Sequence, residues 1–469
     1  MITRVLLLAL GCAAVGWSVK RWRAAVQAAM LLLVFEGAIR KWLLPGAQDL
    51  VYFAKDALLL GAYAGYFRSR SRWPYPKAPV LYAGLAFAAL LGLFQIFNPK
   101  LPNFLVGMLG FKAYFLYVPL LFVVPGVFRD DAELARFLKR YVLIVFPVVL
   151  LSVAQFFSPA GSILNTYAQP TDAGSISTFG SSKFVRTTGT FSYISGYTSY
   201  LLTTTILILI ILTTTRWRFR GNLVVYAALG MVMLGIMMSG SRGPVFLLAV
   251  VFPVYWWLAV VRERQSSQTF VRLLLGVGLL VTGLTSAGDQ AVTAFSQRAS
   301  SEDVSSRLTF PFVSPAHMLP YAGLFGYGIG ATHQAAATLT GGIQNPWLIN
   351  VTPEAETGRV MLELGPLGFF TVYLVRLALA FFAFRQALRL RVLFHRAVAI
   401  SALLFLLVQI PGGIIFDVTA GVYYWFLAGL VFLAVRLDRQ AVLARSSVLA
   451  APRPASPAAA APVSLRGSG

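Results

Sequence analysis

The stretch NLVVYAALGMVMLGIMMSGSRGPVFLLAVVFPVYWWLAVVRER, residues 222–264, decides the fold class. Two apolar runs, about 222–238 and 244–261, flank a break of small residues, Met238-Ser239-Gly240-Ser241-Arg242-Gly243-Pro244. Each run approaches the ~20 apolar residues that a helix needs to cross a bilayer. Arg242, between them, costs at least ~2.5 kcal/mol if it faces lipid near the midplane, so it needs a polar cavity or an anionic partner. Gly240 and Gly243 let the backbone come close to whatever the guanidinium holds, and Pro244 suits the first turn of the next helix. Locally this is an anion site at a membrane edge.

The same pattern continues on both sides. The chain has 469 residues, of which 58% are hydrophobic and only 12% charged, far from a soluble domain of this size. Apolar segments recur at about 5–19, 24–44, 49–67, 78–97, 104–127, 141–157, 193–215, 270–286, 360–383, 397–415 and 421–436. With the opening pair they predict an all-α polytopic membrane protein of about 12 or 13 transmembrane helices, the first being short enough to lie in the interface. The dyad alternation of an outer-membrane barrel is absent. Residues 1–445 form one membrane domain, and the Ala/Pro-rich 446–469 reads as a disordered cytoplasmic tail.

The net charge of +23 is not a nucleic-acid footprint, because most Arg and Lys lie in short segments between apolar runs. Lys20, Arg21 and Arg23, then Arg68 and Arg70, then Arg129, Arg136, Lys139 and Arg140 follow the first, third and fifth runs. The alternation continues to Arg436 and Arg439 after the last. Alternate connections share one side, and the positive-inside rule makes it the cytoplasm. Two long connections rich in Gly, Ser, Thr and Pro, 158–192 and 287–359, then fall outside, with Arg242. Long loops of this kind carry function.

Familiar sites are missing. There is no P-loop motif and no Asp-x-Asp pair. Cys12 is the single cysteine, and His317, His333 and His395 lack metal-ligand spacing, so no metal and no cofactor is expected. What stands out is arginine on the outer side: Arg186 in RTTGTF (186–191), Arg242, Arg298 and Arg307 in the second long connection, and Arg359 before ELGPLG (363–368). Guanidinium forks match phosphate oxygens without deprotonating. Each arginine has a rival reading as a snorkelling side chain or a partner of Glu302, Glu356 or Glu363. Further charges sit inside apolar runs: Glu36 with Arg40 at i,i+4 spacing, Lys41, Lys55 and Asp56. Arg40 and Lys41 are open as partners for Asp56. A structural ion-pair cluster and a polar wall of a substrate pathway are the two readings. Asp417 suits orienting an arginine or binding sugar hydroxyls, and Tyr423, Tyr424 and Trp425 suit an interface belt first and sugar stacking second.

RTTGTF (186–191), SGSRGP (239–244), GYGIG (326–330) and ELGPLG (363–368), in this order on this topology, resemble the bacterial O-antigen ligase and polymerase superfamily. The resemblance covers roughly 180–370. It implies a GT-C-like, metal-independent inverting glycosyl transfer at the periplasmic face of the inner membrane. The donor would be a glycan on undecaprenyl diphosphate, the acceptor a sugar hydroxyl. Arg186 and Arg242 match the family's phosphate-binding arginines; Arg307, Arg298 and Arg359 are further diphosphate candidates. Where the ligases carry a His-Asn pair, this chain has Pro353-Glu354-Ala355-Glu356. That departure favours a polymerase over a ligase that moves finished glycan onto lipid A core. Glu356, then Glu354, then His333 and His317 are the candidate bases. A chain-length regulator and other polysaccharide assembly proteins are the implied partners, beside the bilayer itself. A lipid-linked glycan flippase is the rival of a different class; it would not need two long outer loops.

Overall fold

The computed structural model describes residues 2–69, 75–168, 176–179, 184–214, 219–241, 304–340 and 353–450, with isolated positions between 243 and 351. The runs expected at 244–261 and 270–286 lie largely outside the described residues, as do the second long connection up to 303 and the tail beyond 450. What is described is an all-α polytopic membrane protein. Five helices among the described residues are long and apolar enough to span a membrane: Trp22–Leu43, Asp131–Phe157, Ile194–Leu212, Glu356–Arg389 and Val418–Ala444. The pair Phe104–Phe115 and Leu120–Val127, bent by 44°, makes a sixth if it is one span. Pro79–Gln95, Leu223–Ser239 and Leu393–Val408 are shorter apolar helices.

In chain order the helices are α1 (Ile2–Lys20), α2 (Trp22–Ala38), α3 (Gln48–Arg68), α4 (Pro79–Gln95), α5 (Phe104–Phe115), α6 (Leu120–Val127), α7 (Asp131–Leu143) and α8 (Val145–Phe157). Then come α9 (Ile194–Thr214), α10 (Phe219–Ser239), α11 (Val304–Ala322), α12 (Ala336–Leu339), α13 (Glu356–Arg389), α14 (Leu393–Val408) and α15 (Val418–Ala450). Local chemistry sets several boundaries. Asn103 and Asp130 accept from Val106 N (3.0 Å) and Glu133 N (2.8 Å), capping α5 and α7. Pro79 opens α4, where its missing N–H costs nothing. Gly365, at φ +65°, and Pro366 kink α13 within its first third.

The bundle is apolar inside and out. Phe370, Leu374, Leu377 and Phe381 recur along one face of α13, all exposed, a stripe suited to lipid. Helix α15 lies at the centre, packed on α6, α9 and α14. Tyr423, Tyr424 and Trp425 are buried there, with the Tyr423 hydroxyl 2.7 Å from that of Tyr141. They are core residues; the interface belt expected of them is corrected by the position of α15. The same helix runs on through Ala450, so the first residues of the expected tail are helical.

A second correction concerns Val304–Ala322, read from the sequence as part of a long connection. It is a 19-residue helix despite Pro311, Pro315 and Pro320. An internal proline removes one backbone donor and leaves a carbonyl four residues back without its partner. The Pro311 carbonyl, which Pro315 cannot satisfy, accepts instead from the Thr357 hydroxyl of α13 at 2.6 Å. Packing of α11 on α13 overrides the local propensity.

Candidate functional site

The end of the bundle where α2 finishes and α9, α13 and α15 begin collects the polar residues. Here RTTGTF and SGSRGP, 53 residues apart, touch. Arg186 donates from Nε to Ser239 O (3.0 Å) and from Nη2 to Ser241 Oγ (3.2 Å). Thr187 N donates to Met238 O (3.1 Å). Gly240 turns the chain at φ +63°, and a Cβ there would sit 3.0 Å from Arg186 Nε, so a side chain at 240 would compete with the guanidinium. The resemblance put Arg186 and Arg242 on one diphosphate. Arg186 is seated against the neighbours of Arg242; Arg242 itself lies outside the described residues, as does Arg298, and of Arg307 only the backbone is described.

The segment after Arg186 is pinned from two sides. Gln155 of α8 accepts from Thr188 N (3.2 Å) and Gly189 N (2.8 Å), and Ser152 meets the Thr187 hydroxyl. From the turn after α2, Lys41 Nζ donates to Thr188 Oγ1 (3.1 Å) and Gly189 O (2.9 Å), and Arg40 to Ser192 Oγ (3.0 Å). Arg40 and Lys41 lie on a π-helical turn, Ile39–Leu43, closed by Leu44 N on Ile39 O (2.8 Å). Such turns are rare and recur at functional sites.

Arg40 and Lys41 do not take Asp56 as partner. Asp56 binds Lys112 of α5 (2.7 Å) and accepts from the Tyr117 hydroxyl (2.8 Å). Glu36 pairs with Lys55 (2.8 Å), with Arg40 more distant at 3.7 Å. Lys112 is invisible in a sequence reading because it falls inside the bent α5–α6 span with no charged neighbour to mark it. Its signal is the one available for any intramembrane charge: it needs a partner.

The second half of this end is built on α13. Glu363 of the ELGPLG element is fully buried and accepts from Thr332 N and Oγ1 (both 2.8 Å) and from the Tyr114 hydroxyl (2.9 Å). Tyr327 N on Leu362 O and Gly328 N on Glu363 O, each 2.9 Å, staple the glycine-rich turn 326–330 to the same helix. That turn is a structural brace. His333 follows it, its ring 6.5 Å from that of Phe416, over which the Arg359 guanidinium lies at 5.0 Å. Burial, with Lys112 and Arg359 nearby, pushes the His333 imidazole down to about 4. Its Nδ1 accepts from Ala335 N (3.1 Å), so the neutral ring carries its proton on Nε2.

Glu356, the first candidate base, is buried and held by protein donors. One oxygen binds Arg376 at 2.5 Å; the other accepts from Ile415 N (2.7 Å) and Phe416 N (3.1 Å). Arg376 in turn donates to Ile410 O (2.9 Å) and Gly412 O (3.1 Å). The buried pair holds the 409–416 loop, and three of the four lone-pair sites of Glu356 are taken by these donors. Its partner is Arg376, twenty positions on, while Arg359 turns to Pro353 O (3.2 Å). Glu354 is exposed, and so is His317 on α11. Asp417 caps α15, accepting from Thr419 N (3.0 Å), Ala420 N (3.2 Å) and Ser199 Oγ (3.1 Å); it orients no arginine among the described residues. The described residues hold no group of three metal-ligating side chains. The chain matches no protein-family model, and no curated protein matches it.

Proposed function

We propose that this chain is a membrane-embedded polysaccharide polymerase of the O-antigen ligase and polymerase type. It transfers a glycan from undecaprenyl diphosphate to a sugar hydroxyl of a second lipid-linked repeat unit. The observation that carries the proposal is the contact between RTTGTF and SGSRGP, which gathers an arginine-bearing segment onto the SGSRG turn. Breaking the glycosidic bond to a diphosphate develops negative charge on the leaving oxygen, and prearranged guanidinium groups stabilise it without metal. Arg186 and Arg242 are assigned to that charge. Arg359 and the Nε2–H of His333, both near the Phe416 ring, are assigned to the glycan end. With Glu356 committed to Arg376, the attacking hydroxyl's proton falls to the exposed Glu354.

The test is a glycan profile of cells carrying Arg186→Lys or Arg242→Lys, which keep the charge and lose the fork. A single lipid-linked repeat unit should accumulate and long polymer should be lost, with the protein still in the membrane. Long polymer stranded on the lipid carrier would turn the assignment to a ligase. A wild-type profile from Arg242→Ala would remove it.

A further inference from the structure

Four buried or nearly buried cations meet two carboxylates at the junction of α2, α3 and α5. Glu36 pairs with Lys55 and Asp56 with Lys112. Arg40 stands 3.7 Å from a Glu36 that Lys55 already occupies, and its Nε has no hydrogen-bond partner among the described residues. Lys41 is buried, and its described partners, Thr188 Oγ1, Gly189 O and the face of Trp42 at 4.4 Å, are all neutral. Four basic side chains set against two carboxylates leave a positive excess, and burial makes that excess costly unless an anion completes it.

The cluster is not sealed on every side. Lys112 keeps 17% of its side chain exposed. Its ammonium and that of Lys55 both lie against the ring of Tyr52, at 4.3 and 4.4 Å, with the Arg40 guanidinium at 5.2 Å. Tyr193, exposed, follows the Ser192 that Arg40 binds. Arg186 binds different partners, Ser239 O and Ser241 Oγ. The cation cluster and the Arg186 seat are therefore two positions joined by residues 186–192.

We propose that Arg40 and Lys41, with Lys112 at the mouth, form a second anion site that takes a lipid-borne diphosphate. This rests on the polymerase reading, in which donor and acceptor both carry that group; a ligase acceptor does not. The fork of Arg40 reads the phosphate oxygens, Lys41 adds charge from behind, and Tyr52 and Tyr193 line the opening.

Native mass spectrometry of the detergent-purified full-length protein with added undecaprenyl diphosphate counts the lipids bound. Wild type should hold two. Arg40→Gln should hold one, with the second bound about ten- to a hundredfold more weakly. Arg40→Lys, which leaves Glu36 its neighbouring charge and protects against misfolding, should fall between. Arg186→Gln should also hold one, and the double variant none. Two lipids on Arg40→Gln at wild-type affinity, or a single lipid on wild type, overturns the proposal. Retention of two lipids by Arg186→Gln alone sinks the donor assignment and leaves this site standing. Inorganic pyrophosphate that displaces the second lipid at equal concentration assigns the site to a free anion and overturns its lipid-borne occupant.

Discussion

Glu356→Gln separates a structural carboxylate from a catalytic one. In the folded protein Glu356 bonds Arg376 with one oxygen and the Ile415 and Phe416 amides with the other. Glutamine keeps the shape and can still accept from the two amides, but it removes the charge opposite a buried guanidinium. Removing one member of a buried pair costs about 3–5 kcal/mol, because the other is left uncompensated. Glu356→Ala loses the amide acceptor as well, at about 1–3 kcal/mol for each unsatisfied N–H. Thermal unfolding of the purified variants in detergent, followed by tryptophan fluorescence, should rank wild type above Gln and Gln above Ala. The double variant Glu356→Gln with Arg376→Met should lose less than the two single losses together, by about 0.5–3 kcal/mol, because the groups act as one unit. A Glu356→Gln protein as stable as wild type but unable to polymerise would refute the reasoning and return Glu356 to the chemistry.

Asp417 and Gly240 carry two further predictions. Burial pushes the Asp417 carboxyl up to about 6 against the hydrogen bonds from Ala420, Ser199 and Thr419. The unfolded value is near 3.9, so the stability this group contributes is full below about pH 4 and is lost as pH rises through about 6. Asp417→Asn keeps the helix cap and cannot titrate. Its unfolding midpoint relative to wild type should therefore rise between pH 4 and 6; a difference flat across that window contradicts the burial argument. Gly240→Ala places a Cβ at φ +63°, 2.8 Å from the Phe179 ring and 3.0 Å from Arg186 Nε. The backbone cost is about 1–2 kcal/mol, and Arg186 is displaced as well, so polymer length should fall; full-length polymer would show that the seat of Arg186 is irrelevant.

The helical membrane class was legible because a span must satisfy its backbone within itself and cover that backbone with apolar side chains, all of which is local. The motif pair around Arg186 and Arg242 was legible as residues, though not as a contact. Lys112 and Arg376 were not legible as site residues: each is one charge in an apolar run, and nothing nearby in the chain announces what it binds. Helix Val304–Ala322 was missed because three prolines outweigh any periodicity until Thr357 supplies the donor that Pro315 lacks.

The sequence by itself determined that this chain is a bundle of apolar helices carrying costly internal charges, since burying a run or a charge in hydrocarbon is a property of that run alone. Only the tertiary structure decided which charge meets which. Glu356 took Arg376 over Arg359, Asp56 took Lys112 over Arg40, and Arg40 and Lys41 were left in excess beside the Arg186 segment. A pairing depends on which helices lie side by side and how each is rotated, and packing across the whole bundle sets both.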